Sequence, residues 1–189
     1  MELLIAGLVL FFGVHSIAIV APGLRGRAIA LWGAGTWRAV YGAASLAGFV
    51  LLVYGFAAAR RSPVLLYAPP HWMRFATMLL MLPAFPLLLS SFLPGRIKAA
   101  AKHPMLAAVK LWAFSHLLVN GTLADVLVFG GFLAWAVADR ISLKRRPQTV
   151  AAAVPRAHYD LIVVVLGLAL YGLFVGWAHA RLFGVSPLG

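Results

Sequence analysis

The chain has 189 residues, of which 63% are hydrophobic and only 11% charged, so too little polar surface is available to solvate a globular domain. The absence of cysteine excludes disulfides, thiolate metal sites and covalent haem attachment. The formal net charge of +12 is carried by Lys and Arg that flank apolar runs, which excludes the single basic face of a nucleic-acid binder.

Six apolar runs predict membrane spans at about 3–20, 37–59, 72–92, 104–120, 122–138 and 159–180, all within one domain covering 1–189. Each run is long enough to cross a hydrocarbon core of about 30 Å. Lipid offers the backbone no hydrogen-bond partner, so the runs must be helices, and the fold class is an all-α, polytopic membrane bundle. The first run opens on Met1-Glu2 without a basic leader and is kept as a helix. In the third, Pro83 and Pro86 each remove a backbone donor and predict a kink. Asn120-Gly121 is a tight turn between runs four and five, and the basic stretch 140–156 is a linker. Ala44/Gly48, Gly130/Ala134 and Gly172/Gly176 are small residues four apart that permit close helix approach.

Arg25, Arg27 and Arg38 gather around the first loop, Arg96, Lys98 and Lys102 in the third, and Arg140, Lys144, Arg145, Arg146 and Arg156 in the fifth. The other side carries Arg60, Arg61, Arg74 and Arg181. The excess places loops one, three and five in the cytoplasm and both termini in the periplasm of a bacterial inner membrane.

Six histidines punctuate this apolar chain, and His71, His103, His158 and His179 fall at or near predicted helix ends, where an imidazole reaches water. His15 and His116 lie inside the runs and are either interhelical hydrogen-bonding groups or functional ones. Two neutral imidazoles are a suitable axial pair for the iron of haem b, which needs no cysteine. Phe11 and Phe12 precede His15 by four and three residues and Trp112 precedes His116 by four, so aromatic faces accompany each imidazole. Lys110 and Arg38 either snorkel to the interface or meet haem propionates. Asn120 and Asp125 either form the turn or orient His116, and Asp139-Arg140 reads as a local ion pair. Depth along the helices offsets His15 from His116 by about 10 Å and keeps two further pairs open, His15 with His103 and His116 with His179.

The string from His103 to Arg146, with its HPM, KLW, H, NG, FGGF and DR elements, together with Gly13-Val14-His15-Ser16, resembles the NnrU family of bacterial membrane proteins. The resemblance covers essentially the whole chain. It implies an association with nitrite and nitric oxide metabolism in denitrifiers. The family is in turn similar to the plant 15-cis-zeta-carotene isomerase, a membrane enzyme whose b-type haem is held by two histidines. That likeness carries the ligands onto His15 and His116 and suggests a catalytic part for His103. The isomerase has a cysteine shortly before its second ligand where this chain has Ala113, and a histidine pair on the following helix where 122–139 has none. Lys102-His103-Pro104 is more distantly similar to the Arg-His-Pro motif of membrane isoprenylcysteine methyltransferases, without a second acidic motif beside it.

The sequence therefore leads to an inner-membrane haem b protein in redox or nitric-oxide chemistry, with His15 and His116 on the iron and Lys110, Arg38, Trp112 and Phe12 around it. One alternative is a haem-dependent isomerase or transferase of a lipophilic substrate such as a carotene, using His103. Another is a transporter or assembly factor whose histidines only join helices. Membrane lipids are the expected surroundings, with a redox partner or lipophilic substrate in either of the first two cases and no nucleic acid in any.

Overall fold

The computed structural model describes residues 1–146 and 154–189, and these fold into helices joined by short loops. The expected linker over 140–156 is a helix as far as Arg145, and its residues 147–153 lie outside the described ones. The first two helices are α1, Glu2–Val20, and α2, Pro22–Ala59. Proline at the first position of α2 removes a donor that would have no partner there. The second helix starts well before the expected residue 37, so the loop containing Arg25 and Arg27 is helical. It breaks at Gly33, whose φ of 80° and ψ of 157° suit a residue without Cβ.

Glycines set the α1–α2 contact. A Cβ on Gly48 would stand 2.8 Å from the backbone nitrogen of Phe11, Gly7 lies against Leu52, and Gly55 against Leu4. Each pair steps forward on one helix and back on the other, which fixes an antiparallel hairpin. Of the three small-residue pairs read from the sequence, only Ala44/Gly48 has a member, Gly48, in this contact. Gly172 and Gly176 have nothing within 4 Å of an added Cβ, and Gly130 would meet only its own helix neighbour Val126.

The third run is two helices, α3 (Met73–Met81) and α4 (Ala84–Ser90), broken at Leu82-Pro83 as its prolines require. The short α5, Arg96–Ala101, leads to α6, Pro104–Leu117. Then come α7, Leu123–Arg145, and α8, Ala157–Phe183, interrupted by π-helical turns at Val126–Gly130 and Phe174–Ala178. A capping box opens α7, in which Thr122 accepts from the Asp125 backbone and the Asp125 carboxylate accepts from the Thr122 backbone.

Among the described residues five stretches are long and apolar enough to cross a membrane: α1, α2, Met73–Ser90, α7 and α8. The sixth expected span, α6, has 14 residues, or about 21 Å of rise. It packs against α3, α4 and α7. In the five long stretches no more than 22% of the most apolar window is buried inside the protein. Leu161, Val165, Leu173 and Trp177 of α8 all point outward. Such an exterior calls for lipid rather than water.

The loops sort onto two faces. On the one that carries Met1, the backbone N–H groups of Leu66 and Tyr67 donate to the Gly121 carbonyl at 2.8 and 3.2 Å, and that of Leu123 to Val64 at 2.8 Å. The Tyr67 hydroxyl donates to the carbonyls of Leu117 and Asn120, and Arg60 to that of Phe183. On the face that carries Val20, the Asp160 carboxylate accepts from the backbone N–H groups of Arg96 and Ile97 at the start of α5, at 3.1 and 3.0 Å. The pair expected between Asp139 and its neighbour Arg140 is instead made with Arg146, 3.6 Å away. Two helical turns bring Arg146 back over Asp139, and the Ser142 hydroxyl holds it there at 2.7 Å.

Candidate functional site

The core lies where α1, α2, α6 and α7 meet, around Leu8, Leu52, Ala113, Val128 and Phe129. Beside it runs a row of rings. The His15 imidazole stacks on Phe11 at 4.1 Å, and Phe11 meets Phe132 at 5.5 Å. Phe132 meets Trp112 edge to face at 5.4 Å, and Trp112 lies 5.4 Å from His116. His116 stacks on Phe129 at 4.8 Å, and its ring lies 6.4 Å from that of His179, with planes 25° apart.

The expected ligands are thus not in ring contact with one another. His15 lies five residues from the Val20 end of α1, whereas His116 lies in the last turn of α6 near the Met1 face, so the depth offset persists. Phe11, Phe132 and Trp112 stand between them. Phe12 packs on Phe132 at 5.0 Å, and a Cβ on Gly131 would come within 2.9 Å of its ring. The reserve pairing by depth, His116 with His179, is brought together, with the π-helical turn Phe174–Ala178 immediately before His179 and the other one carrying Phe129. Such turns shift a helix face by one residue and are frequent at functional sites.

Hydrogen bonds fix the chemistry of three rings. Nδ1 of His15 lies 2.7 Å from the Phe11 carbonyl, that of His116 2.8 Å from Trp112, and that of His179 2.6 Å from Val185. A carbonyl only accepts, so Nδ1 carries the proton in each. In the neutral ring Nε2 then keeps its lone pair, the form in which an imidazole binds a metal. Asn120 donates to the backbone carbonyl of His116 at 2.9 Å, not to its ring. Asp125 is spent on its cap.

The remaining expected residues lie elsewhere. Arg38 is exposed on α2, and half-buried Lys110 makes no ion pair among the described residues. His103 stands between α5 and α6, after Lys102. There, φ is 60° and the His103 N–H closes a γ-turn on the Ala101 carbonyl at 2.6 Å. Burial, with the guanidinium of Arg140 nearby, holds the His103 imidazole below its usual pKa. No group of three or more His, Asp or Glu able to hold a metal occurs among the described residues.

A site formed by the sequence-remote helices α6 and α8 is visible in the sequence only as matching depths. The rings of Phe129, Phe132 and Trp135 carried no signal beyond helical spacing.

Comparison with protein families gives one match, to the model described as NnrU protein, over residues 3–187. The chain belongs to that family. No curated protein and no solved structure matches it.

Proposed function

We propose that this NnrU-family protein is a membrane haem b protein of redox or nitric-oxide-related chemistry, with His116 as one axial ligand and His179 as the other. The observation that carries the reading is the pair of nearly parallel imidazoles 6.4 Å apart, each with Nδ1 tied to a carbonyl and Nε2 free. Two imidazoles on one metal have ring centres roughly 6 Å apart, twice the sum of a metal–nitrogen bond of about 2 Å and about 1.1 Å to the ring centre. The separation of the His116 and His179 rings matches that spacing.

When bound, such a haem supplies a one-electron centre and, where one imidazole lets go, a position for a diatomic molecule. The chain's own part is to hold and to exclude. Carbonyls of Trp112 and Val185 fix the proton positions, and Phe129 stacks on His116. Lys110 and Arg38 belong to the other pairing.

That other pairing, His15 with His116, follows from the resemblance and is favoured by the Nδ1 tie of His15, which repeats that of His116. Visible spectra of protein produced with ample haem distinguish the two. With His116 and His179 as ligands, His116→Ala and His179→Ala abolish or shift the Soret band and His15→Ala leaves it. Loss with His15→Ala and not with His179→Ala selects the other pair. A wild-type protein without a Soret band ends both readings and leaves the histidines as helix-joining groups.

A further inference from the structure

One cavity lies away from the histidines. It has a volume of about 440 Å³ and lies on the Val20 face, where α7 continues past the corner between α1 and α2. Its walls are apolar, formed by Ala18, Ile19, Pro22, Ala138 and Ile141, and its remaining lining is Ser142, Arg145 and Arg146. The volume lies in the range of small-molecule sites.

We infer that this cavity is a binding site for one anionic phospholipid of the surrounding leaflet, with the phosphodiester on Arg145 and Arg146 and the start of an acyl chain against the Ala18–Ile141 wall. The argument is one of charge and place. A ligand matching this lining needs an apolar body and an anionic end at the depth where helix α7 leaves the membrane. Arg146 is held in position by the Ser142 hydroxyl, at 2.7 Å, and by Asp139, at 3.6 Å. Asp139 cancels part of one guanidinium. Arg145 has no ion-pair partner among the described residues and leaves the rim net positive. A guanidinium fork suits phosphate oxygens, and basic pockets between helices on a basic membrane face are sites of this kind. The inference is independent of the haem proposal.

The test is native mass spectrometry of the detergent-solubilised full chain after incubation with equal amounts of phosphatidylglycerol and phosphatidylcholine. One phosphatidylglycerol should stay bound in preference. Retention should fall roughly tenfold or more in the Arg145→Ala, Arg146→Ala double variant, each arginine being worth about fivefold at a membrane surface. The charge-matched Arg140→Ala, Lys144→Ala variant, changed outside the cavity, should stay within about twofold of wild type. Ala138→Phe, which fills the cavity and keeps every charge, should also lose the lipid, and it serves alone if the arginine variant does not fold. Equal retention of both lipids, equal loss in the charge-matched variant, no effect of Ala138→Phe, or a retained mass that is haem rather than lipid would each overturn the assignment.

Discussion

At the α3–α6 contact the Thr77 hydroxyl donates to the carbonyl of Ser115 at 3.0 Å, while the Ser115 hydroxyl, on a residue with 0% exposure, finds no partner among the described residues. The two side chains should therefore respond in opposite senses. Thr77→Val removes a made bond and should cost about 0.6 kcal/mol, whereas Ser115→Ala removes an unpaid desolvation and should be neutral or stabilising by up to about 1 kcal/mol. Unfolding midpoints in detergent check both, and a destabilising Ser115→Ala would mean that its hydroxyl has a partner. His103 gives a pH signature. Its folded pKa lies below the usual value, so the unfolded chain takes up the proton at higher pH. The associated stability is present above about pH 6.5 and is lost as pH falls through the folded value. Between about pH 8 and 5 the wild type should lose more stability than His103→Gln. Parallel pH profiles would exclude a contribution from His103. Reading single histidines from the sequence put His116 inside a run, whereas it lies in the last turn of α6, and it could not supply what lowers the His103 pKa, burial first and then Arg140, which arrives from a helix 37 residues away.

At the level of helices, hydropathy placed every apolar run and misjudged several ends. It stopped α7 at residue 138 because charged residues begin there, yet a helix continues through Arg145 while its backbone bonds have partners. It began α2 at 37 because Arg25, Arg27 and the glycines look like a loop, yet only Gly33 interrupts the helix. The kink at Pro83 was legible, since a missing donor acts locally. The small-residue pairs could not be ranked from the sequence, because spacing says that a face is flat and not what lies opposite. Gly48 and Gly172 make this testable. Gly48→Val drives a Cβ into the Phe11 backbone and should cost about 2 kcal/mol or more, while Gly172→Val meets nothing and should stay within about 0.5 kcal/mol of wild type. Thermal unfolding of the two variants decides it. Equal effects would mean that α8 has a close partner at Gly172.

For the molecule as a whole, the question is whether α6 crosses, since its 14 residues are short of the membrane's thickness and the other five stretches are not. Its two ends are tied to opposite faces. The Leu117 and Asn120 carbonyls accept from Tyr67, next to the loop that follows α2, whereas α5, just before α6, is capped by Asp160 at the start of α8. A full crossing by α6 needs a locally thinned bilayer or the loop at 118–122 to make up the remaining length. A crossing would make the number of passes even and put Met1 and the Phe183 end on one side, the more basic loops on the other. The absence of native cysteine makes the test clean. In single-cysteine variants, Ser62→Cys, Asn120→Cys and Ser186→Cys should react with an impermeant maleimide added to intact cells. Ala99→Cys and Ser142→Cys should react only after the membrane is opened. If Ala99→Cys and Asn120→Cys label from the same side, α6 is a re-entrant segment, and the histidine at its end lies at a different depth from that on which the pairing with His179 depends.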